Sequence, residues 1–321
     1  MDQLRMLVVG AGGVGGYFGA RLARAGLPVT LVARGAHLEA IQRNGLRISS
    51  TVEGDYTVKI EAVERVEGRP SIDVVLLCVK SFDTEGALAM LTPALGPQTA
   101  VLSLQNGVVN LELVEASVGA ARTLAGAAYV FAELTAPGVI AHRFAGRIAF
   151  GELDGRVTAR AERLRAAFAA AGVPVEVSTD IRRVLWEKYL LICAQAGVTA
   201  VTGCPSGVVR AVPETWRLYR LLLEELAALA AAAGVSLAPD VVDRIVAAAA
   251  ALGPDTRSSL ADDLAAGRRL ELEALHGYAV RLGQRLGVAT PTLFAVYAAL
   301  KPHAEGVSPG GLGLQRTRGA G

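Results

Sequence analysis

Cysteine is scarce in this chain of 321 residues. There are three, Cys78, Cys193 and Cys204, with no C-x-x-C and no way for all three to pair internally. That excludes a disulfide scaffold, and a reducing compartment fits best. A charge excess of one sign is also missing: 32 basic residues face 30 acidic ones, a net of +2. So small a net argues against a general binder of nucleic acid or of membrane surfaces. Mean hydropathy is high, at +0.40, yet a convincing membrane span is lacking. The longest uncharged stretch, Tyr189 to Val209, carries Gln195, Thr199, Thr202, Gly203, Pro205 and Ser206, which suits a buried helix and its exit loop better than a lipid-facing one. No secretory signal is read at the N-terminus, where the apolar residues 5–10 run straight into a glycine-rich turn. A cytoplasmic location is therefore expected. Lysine is the last scarcity. Of the 32 basic residues 28 are arginine, and the lysines are Lys59, Lys80, Lys188 and Lys301. Arginine is permanently protonated, whereas a lysine gives up its proton when its surroundings lower its pKa.

What is present begins with 52% hydrophobic residues, ample for a large core, and a length that suggests two domains. Apolar runs alternate with helical patterns in the first half. Strands are expected at Arg5–Gly10, Pro28–Ala33, Ile72–Val79 and Ala100–Leu104, and helices at Val14–Ala25, 83–92 and 107–117. Such alternation indicates βαβ units and a parallel sheet. Two extended runs around Ala136-Pro137-Gly138 read as an antiparallel hairpin, and a helix at 157–171 and a strand at 174–178 follow. Beyond residue 180 the pattern is helical only: 181–202, 213–233, 239–251, 258–266, 270–286 and 291–301, punctuated by Gly234, Gly253, Gly267 and Gly287. The expected organisation is an α/β dinucleotide-binding domain of Rossmann type over 1–179, an all-α domain over 180–304 and a disordered tail over 305–321.

Gly10-Ala11-Gly12-Gly13-Val14-Gly15 matches G-x-G-x-x-G between the first strand and the first helix. Gly10 would permit the tight turn, Gly12 the approach of a pyrophosphate, and Gly15 close packing of helix on strand, with the helix N-terminus facing the phosphate. At the end of the second strand, where a carboxylate would bind the ribose 2′-hydroxyl of NAD, stands Arg34. A guanidinium there favours the 2′-phosphate of NADP. Lys80 ends the next apolar run and Asn106 the one after, both on the strand ends that face the ligand crevice of an open parallel sheet. Each could equally mark a strand end or a turn. Lys188 is the last cation before the long uncharged stretch. Its ammonium is either desolvated and poised to give up a proton near neutral pH or carried out into water on its apolar stem.

These motifs occur in one order: Gly10–Gly15, Val79-Lys80, Gln105-Asn106-Gly107, Pro137-Gly138 with His142 and Gly151-Glu152, Trp186-Glu187-Lys188, then Ser258-Ser259 with Glu271. The set resembles the ketopantoate reductase (2-dehydropantoate 2-reductase) family over residues 5–302. The resemblance implies NADPH as hydride donor, a small 2-oxo acid as acceptor and an active site in an interdomain cleft. By motif, Lys188 matches the general acid, Glu271 the carboxylate on the substrate's hydroxyl side and Ser259 a serine for the substrate carboxylate. Asn106 and Lys80 match residues at the nicotinamide and substrate end. Ser258-Ser259 followed by Asp262 also reads as a helix cap, and Glu271 and Glu273 as acids favoured in a first helical turn.

The chain departs from the family where asparagines usually stand four and eight residues after the lysine. Ile192 and Ala196 occupy those places, and Ser206 that of a further asparagine. At 100° per residue, Gln195 and Thr199 fall within about 20° of Lys188 on the helical wheel, so they are the substitutes expected to bind substrate. The pocket is then expected to be more apolar, which opens it to substrates less polar than ketopantoate. Ketopantoate remains the leading substrate. A paralogous carbonyl reductase and a non-catalytic NADP(H) sensor are the alternatives. No metal, nucleic-acid or membrane partner is expected. The apolar helical domain could support a homodimer.

Overall fold

The computed structural model describes residues 4–66, 72–91 and 94–306. Its contacts divide the chain into two units, Met1–Trp186 and Glu187–Gly321.

The first unit is built on one mixed sheet. Its first strand, β1 (Met6–Val9), is a buried apolar run, and α1 (Gly13–Arg24) and β2 (Val29–Val32) follow. The polar helix α2 (Gly35–Asn44) buries only Ile41. Three short strands, β3 (Leu46–Ser50), β4 (Tyr56–Val58) and β5 (Glu61–Val63), complete this stretch. Next come β6 (Val74–Leu77), α3 (Thr84–Leu91), β7 (Ala100–Ser103) and α4 (Val109–Val118). The hairpin strands are long, β8 (Thr123–Ala136) and β9 (Val139–Glu152), and α5 (Ala159–Ala170) and β10 (Val175–Val177) end the unit's sheet. Strand order is β4-β3-β9-β8-β7-β6-β1-β2-β5, with β10 paired to β9. From β5 through β8 the strands run parallel. Parallel strands are covered on both faces, which is why they read as unbroken apolar runs rather than alternating ones. Met6 and Val8 join a core with Phe18 and Leu22 of α1 and Phe168 of α5. Leu7 and Val9 point the other way, into a core with Leu88 and Leu91 of α3 and Val114 of α4. Helices on both faces of such a sheet make the Rossmann-type arrangement expected from the alternation. The hairpin turns where expected, with Ala136 paired to Val139 and Gly138 at φ +75°.

The helix α6 (Ile181–Thr202) carries the chain into the second unit. It is followed by α7 (Ser206–Ala211), α8 (Pro213–Ala232), α9 (Val241–Ala250), α10 (Ser259–Ala265), α11 (Tyr278–Leu286) and α12 (Pro291–Leu300). No strand occurs after Val177 among the described residues. Helix α8 buries Tyr219, Leu222, Leu223, Leu226, Leu229 and Ala230, the i, i+3, i+4, i+7 stripe of a core helix. Glu225 on the same helix accepts from two first-turn amides of α12, those of Thr292 (2.8 Å) and Leu293 (2.9 Å), where a carboxylate complements the helix dipole. Helix α6 is long and apolar enough to cross a membrane, but 67% of its most apolar window is buried inside the protein.

Three expectations need correction, and a fourth lies largely outside the described residues. The segment 270–286 is not one helix: a π-helical turn, Glu273–Gly277, precedes α11. Gly234, Gly267 and Gly287 adopt positive φ at helix ends, whereas Gly253 does not. Residues 35–63, for which the sequence suggests no element, hold α2 and three strands, and α7 is likewise unannounced. The expected tail is described only to Gly306, and 307–321 lie outside the described residues.

Candidate active site

In the first unit, the glycine turn joins β1 to α1, and each glycine has a distinct reason. Gly10 sits at φ +98°, and a Cβ there would lie 2.6 Å from the Val79 nitrogen. A Cβ on Gly15 would lie 2.1 Å from the Gly10 carbonyl oxygen. Gly13, a free position in the motif, is equally constrained, because its Cβ would fall 1.9 Å from the Ala132 carbonyl oxygen. Gly12 alone is open, with no described atom within 4 Å of a Cβ built there. It is also the N-cap of α1, so no side chain caps the first turn. A turn that is tight everywhere except where a pyrophosphate would approach fits a dinucleotide. Ala11 and Val14 lie within this loop and first turn.

The turn is braced by His37, a residue outside the motif. The Gly138 amide donates to its Nδ1 (2.9 Å), so Nδ1 carries no proton and Nε2 donates to the Ala11 carbonyl at 2.8 Å. One imidazole thus ties the glycine turn to the hairpin turn.

Arg34 lies just beyond β2 and begins α2. Its side chain is 75% exposed and paired with Asp83 at 3.3 Å. Lys80, exposed, follows β6. Asn106 is half-buried after β7, and its carbonyl accepts from Asn110 Nδ2 at 2.8 Å. A buried chain prepares this corner. Gln105 Nε2 donates to the Val79 carbonyl (2.9 Å) and to Thr84 Oγ1 (2.7 Å), and Thr84 donates to Asn110 Oδ1 (3.1 Å). The glycine turn, Arg34, Lys80 and Asn106 therefore gather at the C-terminal ends of neighbouring parallel strands, around the point between β1 and β6 where the strand order reverses and ligands of open α/β sheets bind. Cys78, beside the turn, is held as a thiol, with burial pushing it up to about 12.

In the second unit Lys188 is buried, 8% exposed. Desolvation brings its ammonium down from 10.5 to about 8, against the opposing pull of the Glu271 carboxylate. The sequence leaves open whether this lysine reaches water, and the burial of the side chain decides that. It also leaves Glu271 and Glu273 alike. Only Glu271, half-buried just ahead of the π-helical turn, acts on Lys188. Glu273 is committed elsewhere: it accepts from Arg281 (2.6 Å), Tyr297 (2.8 Å) and Lys301, and these bonds hold it down at about 2.

The remaining candidates lie two to three turns further along α6 and at the start of α10. Gln195 Nε2 donates to Ser206 Oγ (2.7 Å), which donates to the Thr256 carbonyl (2.8 Å). Thr199, fully buried, donates to the Gln195 carbonyl and meets Ser258 Oγ, each at 2.7 Å. Ser258, rather than Ser259, caps α10, accepting from the Ala261 amide at 3.1 Å. That leaves Ser259 exposed as the first helical residue. Ile192 is half-buried and Ala196 buried.

The ketopantoate reductase PanE/ApbA family matches residues 6–155, and its C-terminal part matches residues 180–304. The chain belongs to the ketopantoate reductase family. It is 32% identical over 319 residues to a 2-dehydropantoate 2-reductase of Mesorhizobium japonicum, across 93% of this chain and 97% of that protein. A PanE/ApbA family ketopantoate reductase structure from Ralstonia eutropha superposes with a TM-score of 0.87 at 37% identity, covering 94% of this chain and 98% of the other. A D-mandelate dehydrogenase structure with NADH and anilino(oxo)acetate shares the fold at TM-score 0.87 and 21% identity, covering 94% and 98%. As a member of the ketopantoate reductase family, the chain is an oxidoreductase acting on the CH–OH/C=O pair.

Proposed function

We propose that this protein is an NADPH-dependent reductase that converts a 2-oxo acid to the 2-hydroxy acid, with 2-dehydropantoate to pantoate, in pantothenate biosynthesis, as its leading reaction. The observation that carries the proposal is the buried lysine, Lys188, whose ammonium is desolvated and faces one carboxylate. A structural cation gains nothing from such a place. A proton donor at neutral pH needs it.

The domain over 1–179 would hold the cofactor: Gly10, Ala11, Gly12, Gly13, Val14 and Gly15 the pyrophosphate, Arg34 the 2′-phosphate, and Lys80 and Asn106 the nicotinamide and substrate end. NADPH, when bound, supplies the hydride. The domain over 180–304 would hold the substrate. As negative charge grows on the carbonyl oxygen, the Lys188 ammonium stabilises it and then transfers a proton to it, leaving a hydroxyl and a neutral amine that solvent reprotonates. Glu271 keeps that ammonium charged and accepts from the substrate's hydroxyl side. Ser259, freed from capping, would bind the substrate carboxylate. The Gln195 side chain would offer its amide oxygen, and Thr199 would act through Gln195 and Ser258. A cytoplasmic enzyme follows from this reading, and a homodimer would be its simplest assembly.

Ile192 and Ala196 favour a second substrate reading within the same chemistry, a 2-oxo acid with an apolar side chain. A sensor without turnover has no use for Lys188. The deciding assay is a panel of 2-oxo acids, ketopantoate and bulkier apolar ones, each with NADPH and NADH. Highest kcat/KM with ketopantoate supports the leading reaction. Highest kcat/KM with an apolar acid moves the assignment to the second. No turnover of any 2-oxo acid removes both.

A further inference from the structure

The residue after Lys188 carries an inference that rests on the reading of Lys188 as proton donor. We propose that Tyr189 is a positioning residue, whose hydroxyl bonds the Leu275 carbonyl and so fixes the segment bearing Glu271 against the turn of α6 bearing Lys188.

Tyr189 is fully buried, and its hydroxyl donates to the Leu275 carbonyl at 2.6 Å. That carbonyl belongs to the π-helical turn Glu273–Gly277, where the Gly277 amide reaches back to the Leu272 carbonyl at 2.9 Å. A π turn inserts one residue into the helical ladder and hands some of its carbonyls to outside donors. The turn is gripped on its other side through Glu273, which receives Arg281 of α11, Tyr297 of α12 and Lys301. Its His276 ring lies against α6 where that helix has Gly197, and a Cβ there would sit 2.6 Å from His276 Nε2. The turn is thus seated between α6 and the last two helices. Its first backbone bond, the Leu275 amide to the Glu271 carbonyl (3.2 Å), ties that seating directly to Glu271. The two ends of the Tyr189 hydrogen bond lie one residue from Lys188 and four from Glu271. A small rotation of the turn would carry the carboxylate away from the amine.

The charged group acting on Lys188 is Glu271, while the neighbouring Glu187 faces Arg244 at 3.5 Å. Glu271 favours the ammonium, so letting it drift lets the amine lose its proton at lower pH. The test is Tyr189→Phe, which keeps the ring and removes the donor, with kcat, the kcat/KM–pH profile and Tm all measured on the full chain. Positioning predicts a kcat lower by about tenfold and an alkaline limb displaced to lower pH by about half a unit or more. A lower Tm with an unchanged limb and kcat would make the hydroxyl a structural contact only and overturn the proposal. Should Tyr189→Phe fail to fold, Glu273→Gln loosens the same turn from its far side. The same displacement supports the proposal, and an unchanged profile overturns it. Lys188→Ala, run alongside, separates the two levels. Lost turnover there with an unchanged limb in Tyr189→Phe defeats the positioning alone, while full turnover in Lys188→Ala removes the reading beneath it.

Discussion

Replacing Lys188 by methionine should make the protein more stable at neutral pH while abolishing turnover. Methionine keeps the length and apolar stem of the side chain and removes the charge. The folded protein binds the Lys188 proton with a pKa of about 8, against 10.5 for an unperturbed lysine. At about 1.4 kcal/mol per unit, holding the charged form in the folded state costs about 3 kcal/mol at pH 7. The Glu271 attraction is already contained in that net shift, so the variant should recover about 1–3 kcal/mol, depending on how well methionine packs in the vacated place. The pH dependence has a fixed sign. Between 8 and 10.5 the unfolded chain binds more protons than the folded one, so wild-type stability rises with pH through this window. The advantage of Lys188→Met should therefore be full below pH 8 and vanish above 10.5. Urea unfolding of both proteins across this range measures the difference, in which groups common to the two cancel. A variant no more stable than wild type at about pH 7, with a difference flat through the window, would show that Lys188 is not desolvated and refute the reasoning.

Gly12→Ala should leave Tm unchanged and weaken NADPH binding at least tenfold, because only a ligand contests that space. Gly15→Ala should instead lower Tm by several degrees, its Cβ colliding with the Gly10 carbonyl. Thermal melts with and without NADPH separate the two effects. Arg34→Asp should shift the kcat/KM ratio from NADPH toward NADH by tenfold or more, measured with one 2-oxo acid, and an unchanged ratio would clear Arg34 of cofactor selection. His276 is buried, with its pKa pushed from 6.5 down to about 4 by desolvation, which outweighs the opposing Cys193 backbone. Neither ring nitrogen makes a well-formed hydrogen bond among the described residues. The unfolded chain therefore takes up this proton first, and stability should fall by up to about 3 kcal/mol as pH drops from 6.5 to 4. His276→Gln or His276→Leu should flatten that part of the acid unfolding curve.

The parts of the fold that are legible in the sequence are those whose pattern is local. Helix α6 begins and ends at the residues its apolar run predicts, because Asp180 before it and Gly203 after it are strong boundary signals. The strands at residues 46–63 are not legible. Each is three to five residues long, two carry polar residues at alternate positions, and their pairing is set by distant partners such as β9. The site divides in the same way. The glycine turn announces itself because its motif falls within six residues, although the space that demands glycine is closed by Val79 at Gly10 and by Ala132 at Gly13, both invisible locally. Glu271 and Glu273 differ only in what the folded helices place around them. His37 gives no signal at all, since its two partners stand 26 and 101 residues away. Thr199 falls on the expected face of α6, yet periodicity says nothing of the hydrogen bond to Ser258 that occupies its hydroxyl.

The central claim is that the Lys188 ammonium delivers the proton. The most direct measurement is single-turnover oxidation of bound NADPH by a 2-oxo acid at about pH 7, comparing wild type with Lys188→Ala after equal cofactor occupancy has been verified. General acid catalysis predicts a rate lower by about 10²–10⁴ in the variant. An undiminished rate would contradict the account.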